Sequence, residues 1–372
     1  MTTQLKPLAP AEIAPLDDAE LRREVPDAER FFEARHSENT RAAYAKGWKA
    51  YTTWCRNRAL DSLNTDPGQV CAFLAAEAAP VTDARGNLVR PGRKVATLEL
   101  RIAAIKHHLG EAGLALDADD GRIRGVLRGM RRELPPEQVN PESVAALTVD
   151  PIEKVIASLD LTRDIDLRDR ALLLVMFAGL LHRTEAGLVR IETMQWAKGG
   201  VALWVPRIKN APPGEGRGKR IPRIQVPGED RHGNPMLIPS RLCPVSAIED
   251  WVRASDLRDG PLFPGRTLTR VWSTEGLSGG QIARIVKART AAAGVDVVRE
   301  TEPTGRVKVS RLRFSGHSLR RGAATSADDA DIGLMQHMKA GDWKNPRSTA
   351  RYIDETEKFE KTVAARVLGK GS

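Results

Sequence analysis

Four residues near the carboxyl end have types and spacing suited to chemistry on a phosphodiester. His317 and Arg320 lie in Gly316-His317-Ser318-Leu319-Arg320-Arg321-Gly322, Trp343 follows Gly341-Asp342, and Tyr352 stands in Arg351-Tyr352-Ile353. A phenol can attack phosphorus and become esterified to it. An arginine fork, an imidazole and an indole N–H can meanwhile hold the phosphate oxygens. Such a displacement needs positive charge at two non-bridging oxygens, a nucleophile in line, and an acid for the departing 5′ oxygen.

His317-x-x-Arg320, with the intervals 317 to 343 and 343 to 352, resembles the active-site box of the tyrosine site-specific recombinases, the phage integrase family, and most of all its Cre-like members. Four residue types and their intervals agree together, which makes the likeness specific. It implies that Tyr352 is the nucleophile and that Arg320 is the second phosphate-binding arginine. His317 would hold a non-bridging oxygen and manage the tyrosine's proton, and Trp343 would offer its indole N–H where many members have a second histidine. The family's acid is a lysine on a β-hairpin. Lys209, in Val205-Pro206-Arg207-Ile208-Lys209-Asn210, fits that position, with Arg207, Lys219 and Arg220 as competitors.

The first arginine departs from the pattern. The family places it three residues before an acidic residue, matched here by Glu185, but Leu180-Leu181-His182-Arg183-Thr184-Glu185 puts His182 there and Arg183 one position later. One helical residue rotates a side chain by about 100°. Three readings stay open: a reset helix end that lets Arg183 reach the phosphate, His182 as a natural replacement, or a substitution that cripples chemistry. A histidine can donate one bond but lacks the permanent charge and the fork.

The elements that must position these groups read as a mainly α protein: an N-terminal helical core-binding bundle, then an α+β catalytic domain with a small antiparallel sheet. Residues 1–35 form an acidic tail. From residue 36 to 134, helices are expected at about 38–58, 67–78, 94–112 and 120–133, from caps such as Ser37 and Asp66 and from apolar residues at helical spacing. Arg93, Lys94, Arg101, Lys106, Arg122, Arg124, Arg128, Arg131 and Arg132 surround the apolar stripes of the last two, and with Arg207 they make a basic surface suited to duplex backbone. Solvated charge on an ordinary bundle is the alternative. Prolines mark a linker over 135–141.

Residues 142–372 then form the catalytic domain. Helices are expected at 152–159 and 167–181, the latter apolar nearly all round from Ala171. Strands at 201–205 and 221–226 flank a turn-rich connection, and helices follow to Trp251 and over 279–293. After Tyr352, a helix carrying Phe359, Val363, Val367 and Leu368 resembles the terminal helix that Cre-like members dock into a neighbouring protomer.

Composition is consistent with this. The formal charge of +10 and pI near 9.7 suit a polyanionic partner. Three scattered cysteines, Cys55, Cys71 and Cys243, form no metal-binding pairs, and no apolar run is long enough to span a bilayer. A cytoplasmic protein is expected, acting in the bacterial nucleoid on plasmid or phage DNA. The resemblance implies double-stranded DNA with inverted-repeat sites as partner, a dimer on each site, a homotetramer on two sites, and no ATP, metal or other cofactor. A type IB topoisomerase shares the chemistry and is a second reading. A recombinase fold that binds DNA without cleaving it, favoured by His182, is a third.

Overall fold

The computed structural model describes residues 35–140, 144–206, 215–267, 269–301, 307–343, 345, 346 and 349. Two compact units divide between residues 142 and 143.

In the first unit the Ser37 hydroxyl accepts the Thr40 N–H and starts α1 (Glu38–Arg56), and Asp66 caps α2 (Pro67–Ala78), whose proline sits in the first turn. A small hairpin, β1 (Val81–Thr82) and β2 (Leu88–Arg90), leads to α3 (Val95–Glu111) and then α4 (Gly121–Glu133), capped by Asp120. Tyr51, Cys55, Phe73, Leu74, Leu98, Ile105, Leu109 and Ile123 close the core between them. At Gly47 the α1 backbone approaches α3 so closely that an added Cβ would lie 2.5 Å from that of Ala104, so only glycine fits.

All four expected helices are present with ends shifted by a residue or two. The proline-rich stretch read as a linker contains a short helix, α5 (Pro136–Val139), because proline is well suited to a helical first turn. Arg101 also departs from expectation. It is buried, donates to the Lys46 carbonyl at 2.7 Å and lies 3.7 Å from the Glu77 carboxylate, so it braces the bundle from inside and faces no partner. Lys106, Arg122, Arg124, Arg128, Arg131 and Arg132 are exposed, and Arg93 and Lys94 are half-buried.

The second unit opens with α6 (Val149–Ala157) and α7 (Asp164–Ala178). A single helical turn, α8 (Arg183–Ala186), precedes a three-stranded antiparallel sheet of β3 (Gln195–Ala197), β4 (Gly200–Pro206) and β5 (Gly216–Pro222), in that order. Then come the hairpin β6 (Gln225–Glu229) and β7 (Pro235–Pro239), α9 (Pro244–Ser255), the hairpin β8 (Pro264–Arg266) and β9 (Trp272–Gly276), and α10 (Gly279–Ala292). A last hairpin, β10 (Val297–Thr301) and β11 (Val307–Arg311), precedes α11 (Ser318–Asp329) and α12 (Leu334–Gly341).

α7 is buried on every side from Ala171 to Met176, sharing one core with Val245, Ile248 and Trp251 of α9 and with Val201, Leu203 and Val205 of β4. It stops at Gly179, earlier than its apolar run suggests, because Leu180 takes a left-handed conformation (φ 47°) that turns the chain toward α8. The strand expected over 221–226 breaks at Pro222, and its second half belongs to the separate β6–β7 hairpin. The β8–β9 and β10–β11 hairpins have no counterpart among the elements expected from the sequence.

Candidate active site

Arg320 is the centre of the site. It is 6% exposed on the first turn of α11, where Nη1 donates to the Leu180 carbonyl at 2.6 Å and Nη2 donates to the Gly341 carbonyl. The left-handed Leu180 therefore does more than end α7: it aims its carbonyl at the arginine. On the other flank the Trp343 ring, itself 9% exposed, lies 4.8 Å from the Arg320 guanidinium carbon. Such stacking fixes the guanidinium plane. Trp343 thus reaches the site as the arginine's packing partner.

His317 sits one residue before α11, in a turn closed by two bonds: the Ser315 N–H donates to the Ser318 hydroxyl at 2.9 Å, and the His317 N–H donates to the Ser315 hydroxyl at 3.3 Å. Gly316 is required there, since an added Cβ would lie 2.8 Å from Cδ of Arg183. His182 meets His317 edge-on with ring centroids 4.5 Å apart. Burial, then the charge of Arg183 and Arg320, holds the His317 imidazole below its ordinary value. Burial, then His317 and Arg320, pushes His182 down to about 4. His182 is therefore a neutral ring near pH 7, able to donate or accept a bond but supplying no charge.

Glu185 ties the parts together. Oε2 accepts the His182 backbone N–H at 2.8 Å and lies 4.0 Å from Arg320 Nη1, while Oε1 accepts from Arg217 at 2.8 Å. Arg217 Nε is also 3.0 Å from an Asp342 carboxylate oxygen, and Lys219 Nζ is 2.6 Å from the same oxygen and donates to the Ala340 carbonyl. Burial is the largest influence on Lys219 and lowers its pKa against the pull of Asp342. The strand explains the placement: Arg217, Lys219 and Ile221 alternate on the inward face of β5, opposite Val205, Leu203 and Val201 of β4, whereas Gly218 and Arg220 face out.

His182, Glu185, His317, Arg320 and Trp343 thus gather in one place, and Arg183 flanks His317. Tyr352, Lys209 and Arg207 lie outside the described residues. Arg217 and Asp342 were not foreseen, and Lys219 was foreseen only as a competitor of Lys209. The one signal for the two cations was their alternation with Ile221, a pattern that also fits a solvated strand.

No family model matches the chain. An integrase/recombinase xerD homolog from Selenomonas ruminantium is 28% identical over 345 residues, covering 92% of this chain and 89% of the relative. XerH site-specific recombinase, in a post-cleavage complex with palindromic difH substrate, has a TM-score of 0.55 at 14% identity, over 89% of this chain and 79% of that one. A lambda integrase dimer bound to a COC′ core site gives 0.51 at 14% identity, over 91% and 78%. At these identities the structural likeness is one of fold. Taken with the near full-length sequence relative and the spacing of His317, Arg320, Trp343 and Tyr352, it makes this chain similar to the tyrosine recombinases in fold and in sequence pattern.

Proposed function

We propose that the protein cuts and rejoins DNA at specific inverted-repeat sites through a 3′-phosphotyrosine intermediate. The observation that carries this reading is the convergence of Arg320, His317, Trp343, Glu185 and Lys219 around one site in the second unit. The Tyr352 phenolate oxygen attacks the scissile phosphorus, a P–O bond to tyrosine forms, and the bond to the 5′ oxygen breaks. Arg320 and His317 hold the non-bridging oxygens, where charge grows in the transition state. A lysine of the β4–β5 hairpin protonates the departing oxygen. The family pattern points to Lys209, and Lys219 supports itself by an ammonium held close to Arg217 and Arg320 with a depressed pKa. Attack by the 5′ hydroxyl of a second strand reverses the steps. The ester conserves the bond energy, so no ATP is consumed.

The exposed arginines of α4 serve duplex backbone, a dimer occupies each site and a tetramer pairs two sites. The setting is the bacterial nucleoid, on plasmid or phage DNA. Incubation with a nicked suicide substrate tests the reaction: the wild type should give a protein–DNA adduct on denaturing gels, and Tyr352→Phe should bind the same DNA and give none. An adduct that survives the change removes Tyr352 from its role.

Neutral His182 favours a second reading, a DNA-binding protein of this fold that no longer cleaves. Absence of adduct from the wild type on its own repeat site would select it.

A further inference from the structure

With His182 in place of the first arginine, the site needs a second fork from elsewhere. We propose that Arg217, on strand β5, is the second phosphate-binding guanidinium; the assignment rests on the phosphotyrosine reaction proposed above.

Two guanidiniums already bracket one small anion. Arg217 Nη2 lies 2.8 Å from one oxygen of Glu185, and Arg320 Nη1 lies 4.0 Å from the other. A carboxylate and a phosphate both present paired oxygens to an arginine fork, so side chains that can flank one can flank the other. Arg217 also keeps an open edge, with 23% of its side chain exposed against 7% for Arg320, so an incoming phosphate can reach it without unpacking the core.

Arg183, the neighbour in sequence, is held differently. Its stem runs against Gly316 and Gly279, where added Cβ atoms would come within 2.8 Å of Cδ and 3.2 Å of Cγ. That path takes its stem along the turn before His317, whose imidazole feels the Arg183 charge. Asp342 fixes Arg217 from the far side, 3.0 Å from Nε, and holds Lys219 with the same oxygen. The fork is therefore oriented before substrate arrives, as transition-state stabilisation requires. Because the strand, and not the helix start, carries the cation, a histidine at 182 is compatible with cleavage.

The test is adduct formation on the suicide substrate, with duplex binding and thermal melting measured on each variant. Arg217→Gln takes a partner from Glu185 and Asp342 and so should melt somewhat lower, but it should lower the cleavage rate of the folded protein about a hundredfold, and Arg183→Gln should lose far less. Arg217→Lys keeps charge without the fork and should still lose about tenfold. Adding His182→Arg to Arg217→Gln should restore at least a tenth of the wild-type rate. Wild-type cleavage by Arg217→Gln or Arg217→Lys overturns the assignment, and so does a double variant as inactive as Arg217→Gln alone. A wild type that forms no adduct defeats the proposed reaction and this assignment with it, whereas an active wild type with an active Arg217→Gln defeats this assignment alone.

Discussion

Two arginine clusters of the second unit differ in how their charge is balanced. Around α7, Arg168 and Arg289 face Asp166 and Asp169: Arg168 Nη2 is 2.7 Å from Asp169, and Arg289 Nη2 lies 2.5 Å from Asp166 and 2.6 Å from Asp169. Two cations meet two carboxylates and the cluster is closed. In the site, three cations, Arg217, Lys219 and Arg320, share two carboxylates, Glu185 and Asp342, and Arg320 donates its hydrogen bonds to the carbonyls of Leu180 and Gly341 instead. A carbonyl orients a cation without cancelling its charge. The first cluster is therefore suited to hold helices together and the second to hold an anion.

Removing the closing arginine should produce the largest effect on stability. Arg289→Ala leaves two buried carboxylates, each 4% exposed, without their shared partner and should cost about 3–5 kcal/mol in denaturant unfolding. Arg320→Gln should do the reverse, lowering adduct formation by about a hundred- to a thousandfold with a smaller change in unfolding. If Arg320→Gln proves as destabilising as Arg289→Ala, the distinction fails.

Acid should sharpen it next. His182 is neutral in the folded protein down to about 4 but takes a proton below 6.5 when unfolded. Its folded value is depressed, so stability is full above pH 6.5 and falls as pH drops toward 4, by roughly 2 kcal/mol at pH 5. His182→Gln should flatten that slope in unfolding measured from pH 7 to 5.

The smallest effects belong to exposed cations of the first unit. Arg124→Gln should weaken DNA binding a few-fold at all sequences and reduce the slope of log affinity against log salt by about one. An unchanged slope would mean that this face of α4 does not meet phosphate.

Much of this was legible in the chain because the signals were local. Ser37, Asp66 and Asp120 cap the helices that follow them, and the interval from Arg320 to Trp343, which the fold closes to a stacked pair, needs no fold to be seen. What escaped depends on distant partners. Arg101 looks like any basic residue on a helix until Glu77 and the Lys46 carbonyl are brought beside it. Arg217 and Lys219 look solvated until β5 pairs with β4 and its inner face is covered. The hairpin β6–β7 was hidden by Pro227 and Gly228, residues that ordinarily argue against a strand.

Leu180 ties the arginine's aim to a backbone shape that leucine disfavours by about 1–2 kcal/mol. Leu180→Gly would relieve that tension and should raise the melting temperature, yet the same relief frees the carbonyl to wander and loosens the arginine it steers. Selection for a hardier protein and selection for a better-aimed guanidinium would then pull this position in opposite directions.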